Sequence, residues 1–259
     1  MSYHNLNICF SLILAGLICG PGCDRQDSVP SDTQQEQVRN EPAKQEIVPQ
    51  SKTKYPDWDG LTFHLTGADL EKAPNVVVLM HGFGAAGHDL LPLGMALTVN
   101  DSTCFVLPEA PLQIPEGGRA WFKKPDDYLP AREKLLKLLE FVKRQNSQAR
   151  ITLGGFSQGA MLASNFLEKD SHLFAALVLL SPSGELREEL TGQASHKPTV
   201  FLSHGRTDPV LPFKGSESLQ KKLVDFEYEV DWIPFDGGHS IPPTVLTELL
   251  QFMARVRSD

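Results

Sequence analysis

At 259 residues, 41% hydrophobic and 22% charged, the chain has the balance of a soluble protein with one sizeable core. Its net charge of −8 argues against nucleic acid or an anionic membrane surface as the main partner. Of its four cysteines, Cys9, Cys19 and Cys23 lie near the start, so the lone Cys104 rules out a disulfide within the later, fold-like part.

Ile8 to Ile18 is an apolar run suited to a signal-peptide core and too short to span a bilayer. Cys19-Gly20-Pro21-Gly22-Cys23-Asp24 follows. Small residues before Cys23 make this a loose bacterial lipobox, in which Cys23 would be lipidated; simple secretion is the alternative. Residues 1–22 are therefore expected to be a signal peptide, and the protein to reside in the cell envelope or to be secreted. Residues 23–54 are rich in Gln, Glu, Ser, Asp and Pro and nearly free of large apolar side chains, which predicts a disordered linker.

Residues 55–259 read as one α/β domain. Alternating Leu61, Phe63 and Leu65 predict an edge strand. Asn75 to Met80 is a continuous apolar run, the mark of a strand buried on both faces of a parallel sheet. A helix is expected over Asp89–Leu97 and a strand over Thr103–Leu107. Pro108 to Pro125 reads as a long loop. Asp127 to Gln145 predicts a helix, with Pro130 in its first turn. Arg150–Leu153 is a short buried strand, and Gln158–Lys169 has helical spacing. Strands over Phe174–Leu180 and Pro198–Ser203, a helix over Lys214–Val224, a strand over Phe226–Phe235 and a helix over Pro243–Val256 complete the order. Strands alternating with helices imply a mostly parallel sheet covered on both faces.

Between the strand at Arg150 and its helix stands Gly154-Gly155-Phe156-Ser157-Gln158-Gly159-Ala160. Gly-x-Ser-x-Gly on a strand-to-helix turn predicts a serine on a sharp, strained elbow, with glycines where strand and helix nearly touch. Later strand ends carry Asp208 and His239. A serine hydroxyl needs a base, and His239 can supply one near neutral pH. Asp208 can hold the second ring nitrogen and stabilise the imidazolium. Asp236 competes for the acid role but is too local to His239. The backbone N–H groups of Phe83 and Gln158 are expected to form an oxyanion hole. His81 and His204 read as structural, His88 as a solvated helix start and Arg119 as a surface charge. Trp121 and Phe122 read equally as core or as walls of an acyl groove. No metal-ligand spacing or nucleotide-binding glycine loop is present in the sequence, so neither cofactor nor metal is expected.

These pieces resemble the phospholipase/carboxylesterase family, which includes acyl-protein thioesterases. The resemblance rests on Leu79-Met80-His81-Gly82-Phe83-Gly84, Ala120-Trp121-Phe122, the elbow, His204-Gly205-Arg206-Thr207-Asp208-Pro209-Val210-Leu211-Pro212 and Gly238-His239-Ser240-Ile241. It implies an α/β-hydrolase fold without a large lid, and a triad on Ser157, Asp208 and His239. It also implies a small ester or thioester substrate. Ala85 follows Gly84 where relatives usually carry an acidic residue. An extracytoplasmic enzyme would not meet intracellular acylated proteins, which favours small esters over protein thioesters. Lysophospholipid or acyl-thioester hydrolysis is the alternative; a peptidase or a non-catalytic binding protein on the same scaffold stands further back.

Overall fold

The computed structural model describes residues 49–98, 102–115, 117–186, 189–194 and 196–258. The expected leader, Cys23 and the linker as far as residue 48 lie outside the described residues. Ordered structure begins earlier than the expected Tyr55. The short helix α1 (Gln50–Lys54) docks on the first strand. Ser51 is buried and its Oγ accepts from the Phe63 N–H at 3.0 Å, while Lys54 Nζ pairs with Asp69 at 2.7 Å. Composition hid this because a hydroxyl and a charge, not apolar side chains, attach the helix.

The strands are β1 (Phe63–Gly67), β2 (Asn75–Met80), β3 (Thr103–Pro108), β4 (Leu112–Gln113), β5 (Arg119–Ala120), β6 (Arg150–Phe156), β7 (Ala176–Leu180), β8 (Thr199–Gly205) and β9 (Val230–Phe235). Seven of them form one sheet in the order β1-β3-β2-β6-β7-β8-β9. Only β1 is antiparallel to its neighbour. The loop expected over Pro108–Pro125 holds the small antiparallel ribbon β4–β5, whose two-residue strands are too short to show a period.

The further helices are α2 (Leu91–Leu97), α3 (Leu129–Gln145), α4 (Gln158–Ala163), α5 (Phe213–Asp225) and α6 (Pro243–Ser258). Strand alternation assigns them to faces. Val76, Val78 and Met80 of β2 join the cluster packed by Leu135 and Leu138 of α3, Leu162 of α4 and Leu219 of α5. The intervening Val77 and Leu79 join the opposite cluster, with Leu97 of α2 and Leu249 and Phe252 of α6. Helices thus cover both faces, as expected. Cys104 is buried in the sheet, and burial pushes its thiol up to about 12.

Two helices differ from expectation. The stretch around Asp89 is a 3-10 turn, Gly87–Leu90, and α2 starts only at Leu91, since Pro92 is tolerated in a first turn and not inside a helix. Beyond α4 the chain tightens into a 3-10 turn, Ser164–Phe166. There Ser164 Oγ and Asn165 Nδ2 both donate to the Met161 carbonyl, at 2.8 and 2.7 Å, and draw it away from a regular helical ladder. Likewise β9 begins later than Phe226, because Glu227 takes a φ of 63° in the turn out of α5.

Candidate active site

Strand order reverses direction between β2 and β6, which are neighbours in the sheet although the chain builds outward from them on opposite sides. The crevice outside the carboxyl ends of two such strands is where open α/β sheets bind ligands. β2 runs out into His81-Gly82-Phe83-Gly84, and β6 into Ser157. Ser157 has φ 54° and ψ −117°, a strained conformation for a residue with a side chain. The elbow is held from both sides. Its N–H donates to Leu180 O at 2.8 Å and its carbonyl accepts from Met161 N at 3.0 Å. A Cβ on Gly155 would stand 2.4 Å from the Gly159 carbonyl carbon, and one on Gly159 2.5 Å from Met80 O. Hydrogen alone fits where β6, α4 and β2 meet. Gly82 lies directly against the serine, since a Cβ there would be 3.3 Å from the Ser157 Cβ.

The exits of β8 and β9 carry the candidate acid, Asp208, and the candidate base, His239. Their exit loops are joined by Arg206 N–H to Phe235 O (2.8 Å) and Thr207 N–H to Gly237 O (3.1 Å). The Asp208 side chain is buried, and its Oδ1 accepts the N–H groups of Val210 and Leu211 at 2.8 and 2.9 Å. Its Oδ2 takes His239 Nδ1 at 2.6 Å. With Nδ1 committed, Nε2 is the nitrogen free to serve the serine. The His239 ring packs on Phe156, centroids 4.8 Å apart, and Phe156 precedes the nucleophile. Asp236 instead faces solvent, 3.5 Å from Arg206 Nε.

His204, read as structural, proves to be part of the acid's surroundings. Its fully buried ring places Nε2 3.2 Å from Asp208 Oδ2 and 3.1 Å from Leu211 O. Facing two acceptors, Nε2 carries a proton, and Nδ1 lies 2.7 Å from Ser216 Oγ, which is also 3.2 Å from Pro182 O. Burial lowers its basicity, against the opposing pull of the Leu211 carbonyl and Asp208. The only sequence signal was its place four residues before Asp208.

His81 braces the turn that holds the candidate oxyanion donor Phe83. Its buried ring donates from Nδ1 to Gly82 O at 2.7 Å and accepts at Nε2 from Ala110 N–H at 3.0 Å. Burial keeps it neutral by lowering its pKa. Gly84 N–H donates to Arg119 O (2.9 Å), and the Phe83 N–H has no backbone acceptor among the described residues. Gln158 opens α4, so its N–H has no acceptor inside the helix. The Gln158 side chain clamps the neighbouring loop: Oε1 accepts Trp121 N–H and Nε2 donates to Phe122 O, both at 2.8 Å.

That clamp decides between the two readings of Trp121 and Phe122. They are 1% and 4% exposed, so they are core and not groove wall. The indole N–H of Trp121 donates to His81 O at 2.8 Å, which satisfies the ring's one polar group inside the core. Arg119 is likewise internal in role: its Nε donates to Ala110 O and stands 3.7 Å from Glu109.

Two other features lie apart from the triad. A cavity of about 280 Å³ opens by Arg150 and Ala175, at the amino ends of β6 and β7 and so at the opposite end of the sheet from Ser157. Among the described residues, His64, His88 and Glu109 bring potential ligand atoms within 4.8 Å of one another.

A family profile described as phospholipase/carboxylesterase matches residues 66–257. Acyl-protein thioesterase 1 of Eremothecium gossypii is 27% identical over 210 residues, covering 72% of this chain and 89% of that protein. Acyl-protein thioesterase 1 of Saccharomyces cerevisiae is 27% identical over 227 residues, covering 74% and 97%. Among solved structures, esterase PE8 superposes with a TM-score of 0.67 at 28% identity, over 76% of this chain and 99% of that one. The Bacillus cereus carboxylesterase shares the fold, with a TM-score of 0.66 at 19% identity over 79% and 99%.

Proposed function

The chain belongs to the phospholipase/carboxylesterase family of α/β-hydrolases, and from that premise we propose that it cleaves small carboxylic esters through an acyl-enzyme on Ser157. The observation that carries the residue roles is the 2.6 Å bond from His239 Nδ1 to Asp208 Oδ2, beside a serine strained on the elbow. His239 Nε2 takes the Ser157 proton as Oγ attacks the ester carbonyl carbon. The carbonyl oxygen becomes an anion received by the N–H groups of Phe83 and Gln158. On collapse the alkoxide leaves with the proton held by His239. Water then repeats the sequence: His239 takes its proton, the acyl carbon is attacked, and Ser157 regains its hydrogen as the acid departs. No step requires a cofactor.

A fluorophosphonate probe is expected to label the wild type and not Ser157→Ala; equal labelling of both would overturn the assignment. A second reading, thioester hydrolysis, is favoured by the relatives named acyl-protein thioesterase 1. Rates over esters, thioesters and lysophospholipids of graded acyl length, with Ser157→Ala as control, separate the two. We place the enzyme in the cell envelope, tethered through a lipidated Cys23, on the apolar run Ile8–Ile18 and the small residues before that cysteine. Mass spectrometry of the mature N-terminus tests it: an unmodified or uncleaved terminus rules the tether out.

A further inference from the structure

We infer that His64, His88 and Glu109 form a binding site for a divalent transition-metal ion of the zinc class. The three side chains come from separate segments: β1, the 3-10 turn after β2, and the exit of β3. Glu109 Oε1 is the focus. His64 Nε2 stands 2.8 Å from it and His88 Nδ1 3.4 Å from it, and the ligand atoms all lie within 4.8 Å of one another. In a tetrahedral zinc site with bonds of about 2.0–2.1 Å, ligand atoms are separated by roughly 3.3–3.5 Å. Two imidazoles and a carboxylate select zinc, cobalt or nickel over calcium or magnesium, which prefer oxygen.

Three further observations fit an ion. Glu109 Oε2 is buried with no partner at hydrogen-bond distance, the Gly87 N–H being the backbone donor to the carboxylate. Asp89 Oδ1 lies 3.5 Å from His88 Nε2 and presents a carboxylate to the nitrogen that does not face Glu109. A carboxylate at that place, drawn in to hydrogen-bond distance, would orient a metal-ligating histidine and fix its tautomer. The His88 side chain is 39% exposed, which gives the ion an entry path and a solvent molecule its fourth position, while His64 and Glu109 are buried. Arg119 stands at Oε2, 3.7 Å away, and leaves Oε1 to the imidazoles. Bound there, an ion joins the edge strand to the segment that leaves the Phe83 turn. It contributes nothing to the triad, so its role is to brace.

The test is a titration of chelator-treated full-length protein with zinc against a chromophoric competitor, repeated with cobalt to read the visible d–d bands. One equivalent is expected, with tetrahedral cobalt bands and a higher Tm. His88→Ala and Glu109→Gln should each weaken binding at least about tenfold, and His88→Ala, at a partly exposed position, keeps the fold intact. Absence of binding overturns the proposal. So does binding that neither variant weakens, with the thiolate charge-transfer bands that Cys9, Cys19 or Cys23 would give.

Discussion

His81 Nδ1 donates to the carbonyl of Gly82 at 2.7 Å, and this bond aims the Phe83 amide. The Gly82 carbonyl and the Phe83 N–H belong to one planar, trans peptide unit and point in opposite directions. Fixing the first fixes the second. The ring is itself held by the Ala110 N–H at Nε2 and by Trp121, whose indole N–H caps the His81 carbonyl. The Phe83 amide, the proposed oxyanion donor, is therefore oriented by a chain of buried polar groups and not by the glycines alone.

His81→Leu is expected to lower kcat by about tenfold to a few hundredfold, bounded by the 10²–10³ that removal of a whole oxyanion donor costs. KM should change little, because the amide matters most once charge has developed. Steady-state kinetics check this. An unchanged kcat in a folded variant would show that the turn keeps its orientation without the ring.

Asp208 Oδ2 is shared between His239 and His204, and the second contact has a kinetic signature. His204→Leu removes a donor from the carboxylate. The carboxylate then draws more strongly on the His239 proton, so the acid limb of the kcat/KM profile should move to higher pH. The accompanying loss of rate is about tenfold, equivalent to about 1.4 kcal/mol. His204→Gln can donate again and should restore part of both. A residue that merely fills space would slow the enzyme without moving the limb.

These two histidines mark where sequence reading stopped. The strand runs were legible because a strand buried on both faces admits little but Val, Ile, Leu and their like, as in Asn75–Met80. The proposed triad could be named from sequence because the chemistry needs particular residue types at successive strand ends, and Ser157, Asp208 and His239 stand there. What His81, His204 and Trp121 do depends on partners far along the chain: Ala110 N–H is 29 positions from His81, and Ser216 is 12 from His204. No local period encodes such contacts. The clamp of Gln158 on Trp121 and Phe122, 37 and 36 positions away, was hidden for the same reason.

Acid should weaken the fold through His204. Its ordinary value is 6.5, and burial lowers it in the folded state. Above 6.5 both folded and unfolded chains carry it neutral. As pH falls through 6.5 the unfolded chain takes up the proton first, so this contribution is present above that pH and is lost below it. The slope is at most about 1.4 kcal/mol per pH unit for one histidine. Urea midpoints for wild type and His204→Gln between pH 7 and 5 check this: the variant should show the flatter dependence.

The elbow should not accept a methyl group. Gly155→Ala drives a Cβ to 2.4 Å from backbone of Gly159, which cannot retreat because it already lies on Met80 O. A cost of about 3 kcal/mol is expected from such overpacking. Activity should fall together with the urea midpoint, since the displaced backbone carries both Ser157 and the Gln158 amide. A variant of wild-type stability would show that strand and helix separate more easily than the contacts imply.

Phe83 separates the two uses of one residue. Its backbone N–H is the proposed oxyanion donor, while the residue is 49% exposed beside the turn that abuts Ser157. An apolar ring at that place offers surface to an acyl chain, and covering it is worth about 1–2 kcal/mol. Phe83→Ala keeps the amide and removes the surface. KM for esters with apolar acyl groups should rise by about five- to thirtyfold, while kcat stays within about twofold. For acetyl esters, too short to reach across the ring, the rise should shrink towards none. A fall in kcat with KM unchanged would mean that the ring positions the amide instead of contacting substrate, and would return the acyl contact to another part of the crevice.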